Sequence, residues 1–201
     1  MKLHEIADLT QQERNQLGIN HTNIEQWLHR VDIKNYTIHP DTNIVDVDGD
    51  VDLSRMNFYN IPVQFGTVTG GFFVIWCTNL KTLKGSPHTV GGMYQCSNTP
   101  ITSLEGAPKY VGSIFACDGK PNMKSLSGVD KVIIEIQDQF WGRPDSTHIL
   151  GLLRIKELKY IDLDGRDGPI NNIMNKYVGT GNLIDAQDEL IDAGFTEQAK
   201  L

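Results

Sequence analysis

The sequence predicts an α/β repeat solenoid: a leucine-rich-repeat-like stack of about 4–5 short rungs of 21–22 residues and one longer rung, with helical caps at both ends. Three observations predict it. The middle of the chain repeats, apolar and polar residues alternate within each repeat, and helix-capping patterns lie outside the repeats. The 19 glycines among 201 residues exceed the usual share of about 7%. Many fall at equivalent repeat positions, which indicates turns.

The repeat is clearest between residues 80 and 118. Five pairs of identical residues are 21 positions apart, namely Leu83 and Leu104, Gly85 and Gly106, Pro87 and Pro108, Val90 and Val111, and Cys96 and Cys117. A looser unit precedes over residues 58–74, a third follows over residues 123–134, and the alternating residues 45–53 supply a first rung. A β-sandwich with regularly spaced turns is the alternative.

Each rung reads as a short strand followed by turns. Alternation places Tyr94 and Cys96 on one face of the strand, directed inward. Ile101 and Leu104 then form a second buried edge, and a Gly-x-Pro sequence turns the chain back towards the next rung. Because one rung cannot bury its own apolar face, only stacking against neighbours provides a core.

The ends of the chain are predicted to be helical. Two capping boxes predict helices near residues 10–17 and 22–31, the second with Ile24, Trp27 and Leu28 on one apolar face. Asp145 and Ser146 are expected to cap a helix to about Leu153, followed by a strand over residues 158–163. Helices near 170–177 and 183–193 close the chain. The predicted division is an N-terminal cap (1–44), short rungs (45–136), a longer rung (137–168) and a C-terminal cap (169–201), within one structural unit.

The phrases TLKGSPHTVGG (82–92) and TSLEGAPKYVG (102–112) resemble the leucine-rich-repeat-like proteins encoded by tailed bacteriophages. The resemblance covers residues 45–135 and extends to the C-terminal helices. This sequence departs from the leucine-rich-repeat pattern at Asn98, which lies two rather than three residues after Cys96, the last inward residue of the strand. The resemblance implies a solenoid fold and a phage accessory protein that engages a host protein. It implies no activity, because fold does not determine function.

Composition restricts the class of protein. The longest strongly apolar run has six residues, Phe72–Cys77, whereas a membrane helix needs about 20, and the charged N-terminus is unlike a signal peptide. Three cysteines without a CxxC pair fit a reducing, cytoplasmic location. The formal charge is −7, but residues 54–128 carry six basic and two acidic side chains. Nucleic acid is therefore a less favoured partner that stays open.

Candidate chemical groups are few, and the sequence predicts no cofactor and no enzyme. The acidic ladder Asp46, Asp48, Asp50 and Asp52 reads as a solvated strand face; calcium is the weaker alternative, because Gly49 precedes the third acid of an EF-hand pattern instead of following it. Cys77, Cys96 and Cys117, with His88, are a weak alternative for zinc. Carboxylates at rung ends, Asp162 and Asp164, would serve a hydrolase or ligand-binding protein, the alternative function.

The strongest functional signal is an apolar outward face. If alternate residues of the strands point inward, the residues between them point outward. They are Phe73, Ile75, Met93, Gln95, Ile114, Ala116, Ile133 and Glu135. Such a stripe approaches the few hundred Å² at which an exposed patch signals a binding surface. The sequence therefore predicts a protein-binding module that docks a protein partner or a second copy on this face, unless a terminal helix covers it.

Overall fold

The structure is a computed structural model that describes residues 21–119, 125–143, 145–165 and 167–201. It forms a β-solenoid of about five turns with a few helices, so the prediction of a repeat solenoid is confirmed. Each turn of the solenoid, called a coil below, contributes one strand to each of two six-stranded sheets. A leucine-rich repeat contributes a single strand per repeat, so the leucine-rich-repeat-like detail is not confirmed.

Twelve short strands make up the two sheets. In chain order they are β1 (Tyr36–Ile38), β2 (Val45–Val47), β3 (Val51–Asp52), β4 (Phe65–Val68), β5 (Phe72–Phe73), β6 (Thr89–Val90), β7 (Tyr94–Gln95), β8 (Tyr110–Val111), β9 (Phe115–Ala116), β10 (Glu135–Ile136), β11 (Gln139–Trp141) and β12 (Tyr160–Asp162). Sheet A has the order β1-β2-β4-β6-β8-β10, and sheet B the order β3-β5-β7-β9-β11-β12. All neighbours are parallel except β1 and β2. Coils 1 to 5 begin at β2, β4, β6, β8 and β10.

Helices lie before, between and after the coils in the chain. They are α1 (His21–Arg30), α2 (Val129–Val132), a 3₁₀ helix (Ile149–Arg154), α3 (Pro169–Tyr177) and α4 (Leu183–Asp192). Helices α1, α3 and α4 match the predicted ranges within two residues. The helix predicted to start after Asp145 and Ser146 is a 3₁₀ helix that starts later, and the predicted helix at 10–17 lies outside the described residues. A capping role for the helices stays a prediction.

A column of stacked rings runs through the core beneath sheet B. The ring centres are 5.7 Å apart between Phe72 and Tyr94, 5.1 Å between Tyr94 and Phe115, and 5.5 Å between Phe115 and Phe140. All four side chains are fully buried. The Tyr94 hydroxyl lies 2.8 Å from the Ser86 hydroxyl, so this buried polar group has a partner. The rings thus join four coils into one core.

Glycine is required at the corner between the two sheets, where the coils approach most closely. A Cβ atom on Gly91 would lie 2.2 Å from the carbonyl oxygen of Thr69, and one on Gly112 would lie 2.0 Å from that of Gly91. No other residue type fits this spacing without moving the backbone. The corner bends the chain from sheet A into sheet B, and it fixes which residues face outward from sheet B.

Candidate functional site

The outer face of sheet B carries most of the predicted apolar stripe. Phe73 pairs with Gln95, Gln95 with Ala116, and Ala116 with Trp141 on adjacent parallel strands. Ile75, Met93 and Ile114 lie two positions from these residues and are partly exposed. Six of the eight predicted residues therefore share one surface across coils 2 to 4. Ala116 is fully buried and lies in this surface without adding exposed area.

Two of the predicted residues lie elsewhere. Ile133 is fully buried, directly after α2, and Glu135 lies in β10 of sheet A, paired with Tyr110. The prediction is wrong at both positions because it treats residues 133–136 as the next counterpart of the strands that contain Phe73, Gln95 and Ala116. Strand β10 belongs to sheet A, and the sheet B strand of this coil is β11.

Trp141 occupies the outward position of coil 5 that the sequence prediction assigned to Ile133 and Glu135. Its indole N–H donates to Oε1 of Gln139 at 2.8 Å, which fixes the ring orientation. A cleft of about 270 Å³ on one side is lined by Asp118, Trp141, Gly142, Asp162, Leu163 and Gly165. A second cleft, of about 430 Å³, is lined by Gln139, Trp141, Tyr160 and Asp162. We call Phe73, Ile75, Trp76, Met93, Gln95, Ile114, Ala116 and Trp141 together the sheet B face.

Trp76 borders this surface at the next corner of the coil. Its backbone is in the left-handed region, with φ 59°, and its side chain is 49% exposed. The corresponding corner residues are Arg55 (φ 62°) in the preceding coil and Asn98 (φ 58°) and Gly119 (φ 84°) in the next two coils. Asparagine and glycine are the types that adopt this conformation most readily. A tryptophan is less favourable in this conformation, and about half of the surface of Trp76 stays exposed.

The acidic ladder links neighbouring coils instead of forming one site. Oδ1 of Asp46 accepts from the Thr67 N–H at 2.6 Å, and Oδ1 of Asp50 accepts from the Gly71 N–H at 2.6 Å. Asp48 accepts from the Thr69 hydroxyl at 2.9 Å, while Asp52 accepts from the N–H of Ser54 two residues on. No cluster of His, Cys, Asp and Glu side chains within the described ranges has a metal-binding arrangement.

Asp46 shows the electrostatic consequence of these bonds. Its Oδ2 lies 2.7 Å from Nε2 of His39. Desolvation raises the pKa of the Asp46 carboxyl, but the hydrogen bonds from His39 and the Thr67 N–H outweigh it, so its pKa lies below the ordinary value. Ionised Asp46 is thus stabilised as a link between coils.

The two carboxylates at the end of the solenoid hold helix α3. Asp164 accepts from the N–H groups of Ile170 and Asn171 at 3.0 and 3.2 Å, in the manner of a helix N-terminal cap. Asp162 accepts from the Gly165 N–H and from the Asn171 side chain, both at 3.0 Å. These contacts give the rung-end carboxylates a structural role.

The three cysteines lie in successive coils and are buried. Burial raises the pKa of the Cys77 thiol to about 11 and also raises the pKa values of the Cys96 and Cys117 thiols. The thiol of Cys77 donates to the Leu53 carbonyl at 3.2 Å. The neutral thiol is a poor nucleophile and metal ligand, so these side chains act as small core residues.

None of the helices in the described part of the chain is long and apolar enough to cross a membrane. Comparison with protein-family models, curated proteins and solved structures finds no significant match to this chain.

Proposed function

We propose that this chain is a non-catalytic protein-binding module that docks a partner protein on the sheet B face. The observation that carries the proposal is the run of Phe73, Ile75, Met93, Ile114 and Trp141 across four neighbouring strands. Aromatic, methionine and aliphatic side chains on a rigid surface are typical of the centre of a protein interface. Phe73 and Trp141 lie in strands, and Ile75, Met93 and Ile114 lie within two residues of one, so a partner would find them largely preordered.

The resemblance of residues 82–92 and 102–112 to tailed-phage repeat proteins supports a host protein as the partner. In that case the chain acts in the host cytoplasm and engages or inhibits a host protein, for example a defence component. Self-association through the same face would instead make the chain a homodimer. The experiments below distinguish a second copy from a different protein.

Trp76 provides independent support. Residues held in sparsely populated backbone regions cluster at functional positions in proteins. Trp76 combines a left-handed backbone with a half-exposed ring at the border of the sheet B face. A role in partner contact accounts for tryptophan at a corner where asparagine would fit with less strain.

The change Trp76→Asn separates stability from binding. We expect the free energy of unfolding to change by less than about 1 kcal/mol, because relieved backbone strain offsets the lost ring contacts. Partner binding is expected to weaken about tenfold or more. Urea unfolding and a titration of the purified partner measure the two quantities. If the Trp76→Asn variant binds the partner as tightly as the native chain does, Trp76 is not part of the interface.

The double change Met93→Asp and Ile114→Asp tests the face itself. Both side chains are partly exposed, so we expect the fold to be kept and partner capture to fall at least about 100-fold through charge placed in an apolar interface. Quantitative mass spectrometry of proteins captured from host lysate gives the loss, and circular dichroism gives the fold.

The matched control is Thr102→Asp with Thr196→Asp, which adds the same charge at exposed positions away from sheet B. It should capture the partner as the native chain does. If the Met93 and Ile114 variant retains every partner of the native chain and its oligomeric state, the sheet B face is not the binding surface.

A further inference from the structure

Acidic side chains border the sheet B face at both of its ends. Asp52 pairs in register with Phe73, the first residue of the apolar run, and Asp162 pairs with Trp141, the last. Along this column the order across six strands is Asp52, Phe73, Gln95, Ala116, Trp141 and Asp162. At a strand spacing of about 4.8 Å, the two terminal carboxylates are about 24 Å apart.

Further carboxylates accompany the two terminal ones. Asp50 is in coil 1 beside Asp52, and Asp118 lines the cleft next to Trp141. The ion pairs among the described residues do not include Asp50, Asp52, Asp118 or Asp162. Among the described residues, hydrogen bonds reach Asp118 and Asp162 through Oδ1 only.

The apolar run is too small to form a complete protein interface by itself. The run spans three strand spacings, or about 14 Å, by the length of about five residues, or about 17 Å. Its projected area of about 240 Å² is well below the roughly 800 Å² per partner of a standard protein interface. An interface that extends from the run along the solenoid reaches the neighbouring strands, where Asp52 and Asp162 lie.

A second copy of the chain is a poor occupant on electrostatic grounds. In a twofold face-to-face dimer with aligned solenoid axes, coil 1 meets either its own copy or the coil with Asp162. Both arrangements place carboxylates against carboxylates, which costs free energy in a desolvated interface. A crossed dimer avoids this contact only by leaving both ends outside the interface.

We propose that the partner is a different protein that presents an apolar strip with Lys or Arg side chains on both sides of it. This inference rests on the proposed function and specifies the chemistry of the partner. One basic side chain enters the cleft of about 270 Å³ beside Trp141, where it contacts Asp118, Asp162 and the indole face. Another basic group meets Asp50 and Asp52 at the opposite end.

Two labelled peptides serve as probes: an alternating apolar segment flanked on both sides by Lys-Arg pairs, and the same segment flanked by Glu pairs. Fluorescence anisotropy measures the binding of each peptide to the native chain at 50 and 500 mM NaCl. We expect the basic peptide to bind at least about tenfold more tightly at low salt, with the ratio reduced at high salt by screening. Light scattering should show the native chain as a monomer.

A charge-neutral variant, with Asp50, Asp52, Asp118 and Asp162 changed to Asn, keeps the acceptor oxygens of these side chains. It should lose the preference for the basic peptide. The control has Asp41, Asp188 and Asp192 changed to Asn and Glu25 to Gln, all exposed and away from the face. It has the same net charge and should keep the preference.

Each other outcome overturns the inference. Equal binding of the two peptides, binding of neither, or an unchanged preference in the charge-neutral variant contradicts the assignment of a basic partner. A native dimer that the Met93→Asp, Ile114→Asp variant abolishes identifies a second copy as the occupant. If that variant loses the captured host partner while the charge-neutral variant does not, the proposed function stands and only the charge inference fails.

Discussion

Replacing Phe115 by alanine is expected to lower the free energy of unfolding by about 3–5 kcal/mol. The ring is fully buried and lies between the rings of Tyr94 and Phe140. Its removal leaves a cavity in the column that joins coils 3, 4 and 5, and parallel strands on either side prevent the neighbours from closing it. Urea unfolding followed by circular dichroism measures the change.

The control is Phe73→Ala, the same type of substitution at the residue that directly follows Phe72 of the column. Phe73 follows Phe72 but faces outward and is partly exposed, so Phe73→Ala should cost about 1 kcal/mol or less. Equal costs for the two substitutions would contradict the inward and outward assignment of sheet B. The pair thus tests the alternation that also defines the sheet B face.

Replacing Asn171 by leucine is expected to cost about 2–3 kcal/mol and to promote aggregation. The Asn171 side chain is 1% exposed. It accepts from the Leu163 N–H at 2.7 Å and donates to the Gly165 carbonyl at 2.6 Å. The Asn175 side chain accepts from the Ile161 N–H and donates to the Ile161 carbonyl, both at 2.8 Å. Together they occupy hydrogen-bonding positions that a further strand beside β12 would take.

Asn172 is the matched control for this change. It lies on the same helix but is exposed, so Asn172→Leu should alter the free energy of unfolding by less than about 0.5 kcal/mol. Thermal unfolding and size-exclusion chromatography compare the two variants. If both variants behave alike, the side-chain bonds to the β12 edge do not hold the end of sheet B.

The repeat itself was predictable because each coil must place the same residue types at the same points. The 21-residue spacing of Gly85 and Gly106, and of Cys96 and Cys117, reports that stacking directly. The division of each coil into two sheets was not predictable. The sequence indicates one strand per rung, with Tyr94 and Cys96 on its inner face. The close approach of the backbones at the corner of Gly91 and Gly112 appears only once the coils are stacked.

The sheet B face was predictable over coils 2 to 4, where successive strands are 21 or 22 residues apart. The prediction of this face fails at coil 5, because the insertion of α2 lengthens the chain between β9 and β11. Phe140 follows Phe115 by more than the repeat length, so Trp141 gave no signal at the expected position. An aromatic pair flanked by glutamine and glycine was the available clue. The bonds of Asn171 and Asn175 to β12 are long-range contacts of helix side chains with strand backbone, which periodicity cannot reveal.

The central claim, that the sheet B face binds a protein partner, is tested most directly by site-specific photocrosslinking. The photoreactive residue p-benzoylphenylalanine replaces either Gln95 in β7 or Thr89 in β6, which are half-buried outward positions of the same coil on sheets B and A. After irradiation in a lysate of the proposed host, the account predicts a discrete adduct from position 95 and none from position 89. An adduct from position 89 alone, or equal adducts from both positions, would contradict it.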